Sequence, residues 1–96
     1  MATIDISRNH QLDLDEAKTR AEQLAKDLQA KLGIEWRWDG DRIRFHADSG
    51  AAKGAKGQVS VSTSAVRVEI DLPLLLRAMK GTISGKVNDK LDKLVG

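Results

Sequence analysis

Ninety-six residues supply one domain's worth of chain, enough for a single modest core. Apolar residues at 41% and charged residues at 31% are ordinary for a folded soluble protein. The chain has no cysteine, which excludes disulfides, zinc ribbons and thiol nucleophiles, and 16 basic against 14 acidic residues leave a net charge of +2, too balanced for a nucleic-acid footprint.

The first segment, MATIDISRNH, has neither a basic leader nor an apolar stretch, so the expected location is the cytoplasm. Within it Thr3–Ser7 alternates, with Ile4 and Ile6 on one face, and predicts a first strand. Asp13 followed three residues later by Glu16 predicts a capping box, with Leu12 as a weak staple onto Ala17. From there Leu14, Ala17, Ala21, Leu24, Leu28 and Leu32 form the apolar stripe of a helix that Gly33 ends. Its outer face carries Glu16–Arg20, Glu22–Lys26 and Asp27–Lys31, each with the acid first.

Two alternating runs follow. Ile34, Trp36 and Trp38 share a face of the first, Ile43 and Phe45 a face of the second, and Asp39-Gly40-Asp41 supplies hairpin chemistry between them. Gly50–Gly57 reads as a flexible basic loop carrying Lys53 and Lys56; it lacks the frame of a phosphate loop. Val59 and Val61, then Val66, Val68 and Ile70, mark two more strands around the turn Ser62–Ala65. After Pro73 the spacing of Leu76, Met79, Ile83, Val87, Leu91 and Leu94 predicts a short helical turn, a kink near Gly81, and a helix to about Val95. No apolar run approaches the roughly 20 residues of a membrane span.

The expected fold is therefore α+β, in the order β-α-β-β-β-β-α. It is an antiparallel sheet with two helices on one face, the order of a TATA-binding-protein-like or helix-grip arrangement. So small a core makes pairing into a homodimer an economical way to bury more surface.

Each candidate site has a structural alternative. Trp36 and Trp38 offer a stacking platform, but their phase with Ile34 favours packing under the helices. Arg37, Arg42, Arg44 and Arg67, with His46, fall on the other face and make a candidate anion surface. That face also carries Asp5, Glu35, Glu69 and Asp71 and no aromatic, which favours a solvated ion-pair face over a nucleic-acid groove. His10 and His46 have no metal-ligand spacing and no Ser/His/Asp arrangement, so neither a metal, a cofactor nor catalysis is expected, and His10 reads as a turn residue before the helix. The segment Leu72–Met79 is too apolar all round to be buried by one face. Leu74, Leu75 and Met79 are the candidate contacts for a partner.

Taken together the chain resembles the polyhydroxyalkanoic acid system family of granule-region proteins. The likeness runs through His10 and Leu12, Ala17/Arg20/Leu24, Trp38-Asp39-Gly40-Asp41 followed by Phe45, and Gly54/Gly57 before a strand. It continues with Leu75-Leu76, Lys80-Gly81 and Ile83, and closes with Leu91-Asp92-Lys93-Leu94; the loop Gly50–Gly57 and Gly85 depart from it. The resemblance implies a non-enzymatic accessory of polyhydroxyalkanoate metabolism that acts at the polyester granule surface or on a granule protein. It brings no catalytic residues. The alternative is a small carrier holding an apolar ligand between the sheet and the C-terminal helix, in a cavity of about 300 Å³ lined by Trp36, Val68 and Ile83.

Overall fold

A computed structural model describes residues 3–50 and 52–95; Met1, Ala2, Ala51 of the expected loop and Gly96 lie outside them. Strand β1 (Ile4–Asn9) leads into helix α1 (Leu14–Leu32), followed by β2 (Glu35–Asp39), β3 (Arg42–His46), β4 (Lys56–Val61) and β5 (Ala65–Asp71). A 3₁₀ helix (Leu74–Met79) then runs into α2 (Lys80–Val95). The α+β class and element order are those the sequence predicts. The five strands form one antiparallel sheet in the order β1-β5-β4-β3-β2, which is compatible with a helix-grip arrangement.

The strand order makes α1 a crossing element. It joins β1 at one edge to β2 at the other, and its 19 residues give it a length of about 28 Å, enough to cross five strands spaced about 4.8 Å apart. Asp13 caps it by accepting from the Glu16 N–H at 2.8 Å. Only half of the expected capping box forms, because the Glu16 carboxylate turns outward to accept from Arg20 at 2.9 Å. Gly33 ends the helix at φ 69°, its N–H donating to the Gln29 carbonyl.

Alternation along the strands puts Ile4, Ile43, Phe45, Val59, Val68 and Ile70 under the helices. There they meet Ala17, Ala21, Leu24 and Leu28 of α1 and Ile83, Val87 and Leu91 of α2 in one core. Trp36 and Trp38 lie on this covered side, each partly buried, with indole N–H groups donating at 3.0 Å to Gln29 and Glu22 of α1. The packing reading of the tryptophans holds. Arg8 sits at the β1 edge and ties α2 to the sheet through Asn88 at 2.6 Å and Asp92 at 3.2 Å.

Two local expectations need correction. Lys56 and Gly57 belong to β4 and not to the preceding loop. A Cβ on Gly57 would stand 2.6 Å from the Phe45 ring, because Phe45 of β3 lies opposite and leans across the glycine. The change expected near Gly81 falls beside it at Lys80, where 3₁₀ geometry gives way to α2, which runs to Val95 as the spacing predicts. Asp27 pairs across the helix interface with Lys90 at 3.6 Å, where the i,i+4 pattern pointed to Lys31.

Candidate contact surface and the arginine face

The 3₁₀ segment is anchored at its base and bare at its tip. Leu72 is buried, its N–H donates to the Thr3 hydroxyl at 3.2 Å, and its carbonyl accepts from Arg77 at 3.3 Å. Pro73 packs against Gly54, where a Cβ would come within 3.2 Å of the proline ring. The Leu76 N–H then closes the first turn on the Pro73 carbonyl at 2.9 Å.

A 3₁₀ helix repeats every three residues, so its side chains form three columns and only one can face the core. Leu76 takes the inward column and is partly buried against the core. Leu74 and Leu75 are left in water, 76% and 92% exposed, and Met79 is 49% exposed where α2 begins. The segment the sequence marks as too apolar for one face thus exposes the three residues singled out there. Buried Ile83, Val87 and Leu91 continue at four-residue steps along α2, which holds the tip in place.

Beside the tip, α1 and α2 enclose a slot. Leu28, Leu32, Leu76, Met79, Ile83 and Val87 form its apolar wall, and Lys31, Lys86 and Lys90 stand around it. Its volume of about 70 Å³ is well under the about 300 Å³ expected of a carrier cavity. The slot also lies between the helices and involves neither Trp36 nor Val68. This geometry weakens the carrier reading.

The open face of the sheet carries Arg37, Arg42, Arg44 and Arg67 as expected, each exposed. Register puts Arg37, Arg44, Gln58, Glu69 and Asp5 in one row, so positive charge on β2 and β3 passes into negative charge on β5 and β1. Arg44 pairs with Asp39 at 2.9 Å. Arg67 grips Asp5 with two hydrogen bonds of 2.9 and 2.6 Å and approaches Glu69 at 3.7 Å. The hydrogen bonds from Arg67 hold the Asp5 carboxyl below its ordinary range, and Asp5 in turn raises the arginine. Two of the four arginines are thus occupied within the face, and this is a paired surface more than an anion cradle.

The histidines do different work. His10 is buried; its Nδ1 accepts from the Leu12 N–H at 3.1 Å and its Nε2 donates to the Ser62 carbonyl at 2.9 Å. It therefore ties the turn before α1 to the β4–β5 turn, the structural role expected of it. His46 lies 3.3 Å from Glu35 and 3.2 Å from Asp48. No local spacing signals this trio, because the β2–β3 register brings Glu35 opposite His46. Its potential ligand atoms lie within 4.8 Å of one another and all three residues are exposed, so the fold assembles a group with metal-ligand geometry where the sequence showed no sign of one.

Among the described residues, no helix is long and apolar enough to cross a membrane. No curated protein matches the chain in sequence. The model of the polyhydroxyalkanoic acid system proteins (PHA_gran_rgn) matches residues 4–95, from the first strand to the end of α2. With a match of that extent, the chain belongs to the polyhydroxyalkanoic acid system protein family.

Proposed function

We propose that the protein is a non-enzymatic accessory of polyhydroxyalkanoate metabolism in the cytoplasm, binding the storage-granule surface or a granule protein through Leu74, Leu75 and Met79. The observation that carries this reading is the exposure of those three residues on an anchored tip, in a chain of this family. Burying one leucine side chain is worth about 1.5–3 kcal/mol, so leaving two in water forgoes stability that a partner restores. Action by contact agrees with the sequence chemistry: there is no cysteine, and His10 serves a buried turn.

Co-sedimentation with polyester granules, native and stripped of protein, tests this reading. Wild-type protein pellets with granules and Leu75→Glu stays in the supernatant. Binding to stripped granules identifies the polymer as the contact, and binding to native granules alone identifies a granule protein. Failure to pellet with either preparation overturns the reading.

A further inference from the structure

The charge around the tip is one-sided. From Leu72 to Asn88 the chain has no acidic residue, while Arg77, Lys80 and Lys86 are all present and exposed. Lys31, exposed at the end of α1, joins Lys86 beside Met79 at the slot. Acids flank the Leu72–Asn88 stretch at Asp71 and Asp89, and Asp27, which lines the slot, is engaged by Lys90 at 3.6 Å. Among the described residues Lys31, Lys80 and Lys86 take part in no ion pair. The exposed leucines and Met79 thus adjoin a basic collar, with Lys31 and Lys86 beside Met79 at the slot and Lys80 next in sequence, although the whole chain is nearly neutral at +2.

The same collar argues against a second copy as the occupant. A twofold dimer through the tip would bring like patches, and so like charges, face to face. Unpaired lysines beside exposed leucines match a different surface, one with an apolar interior and negative headgroups.

We propose that this tip docks on an anionic lipid layer, with Leu74 and Leu75 entering the apolar phase and Lys31, Lys80 and Lys86 meeting the headgroups. The proposal rests on the reading of Leu74–Met79 as the contact segment and adds the chemistry of what it contacts. Leucine insertion supplies the hold, and the lysines supply selectivity for negative charge. Because the collar is exposed, its contribution is screened by salt.

Vesicle flotation tests it, using vesicles of neutral phosphatidylcholine and vesicles with about a third phosphatidylglycerol. Wild-type protein floats with the anionic vesicles and much less with the neutral ones. Lys80→Gln and Lys86→Gln each weaken anionic binding about fivefold, as expected for one lysine near a charged surface. Raising salt to about 1 M, where the screening length is about 3 Å, removes the preference for anionic vesicles. Leu75→Glu abolishes flotation in both. Equal binding to neutral and anionic vesicles, or no loss in the lysine variants, contradicts the proposal. If the protein pellets with granules but floats with no vesicles, the lipid proposal falls and the granule reading stands. If it floats with anionic vesicles but ignores granules, the granule reading falls and the lipid proposal stands.

Discussion

Gly57 shows how one residue's role is set by a strand it does not belong to. Its sequence surroundings, Lys53-Gly54-Ala55-Lys56, read as loop, yet it sits mid-sheet between Phe45 and Ile70. A Cβ there would collide with the Glu69 carbonyl oxygen, which is backbone and cannot move aside easily. Gly57→Ala is therefore expected to destabilise the fold by about 1–3 kcal/mol, the usual range for overpacking, measurable by urea unfolding. An unchanged midpoint would mean that Phe45 does not lean on this glycine. The register partner, and with it the reason for the glycine, is invisible along the chain. Asp5 and Arg67 are a second case: both were placed on the open face by alternation, but their 2.6 Å pairing depends on β1 lying beside β5. Since Arg67 holds the Asp5 carboxyl below its ordinary value, the pair stabilises the fold in full above about pH 4. That contribution fades as pH falls from there through the lowered value. The Tm difference between wild type and Asp5→Asn should accordingly be present at pH 6 and shrink on acidification towards pH 2, whereas a pH-independent difference contradicts the pairing.

At the scale of elements, helix α1 and the hairpins were legible because their signals are local. Cap, stripe and stop lie within the residues from Asp13 to Gly33, and Gly40 at φ 64° makes the expected turn between β2 and β3. The C-terminal third was legible in period but not in geometry. Its apolar residues keep a helical spacing throughout, yet Leu74–Met79 adopts the tighter 3₁₀ form, opened by the Leu76 N–H on the Pro73 carbonyl. Gly81 and Gly85 lie in α2 at exposed positions where an added Cβ meets open space. Replacing Gly85 by alanine should stabilise the fold by about 0.5–1 kcal/mol. A rise in Tm of several degrees in a thermal scan checks this. A fall in Tm would mean that the helix uses the glycine for a bend or a close contact.

For the molecule as a whole, the sheet and helices divide the surface into two unlike regions. The open face carries mixed charge that is partly paired, as between Arg67 and Asp5 or Arg44 and Asp39. The tip carries apolar residues and unpaired lysines with no acid between Leu72 and Asn88. The candidate contact residues were legible because no arrangement of Leu72–Met79 can bury every side chain. The lysine collar was not, because it assembles Lys31 of α1 with Lys86 of α2, far apart in sequence. The central claim is that the tip is a contact surface and no part of the fold's support. The most direct test compares Leu75→Glu with wild type in granule co-sedimentation, with Tm measured on the same samples. The predicted result is an unchanged Tm and loss of granule binding, since Leu75 is 92% exposed and supports nothing beneath it. Undiminished binding by the folded variant would contradict the account.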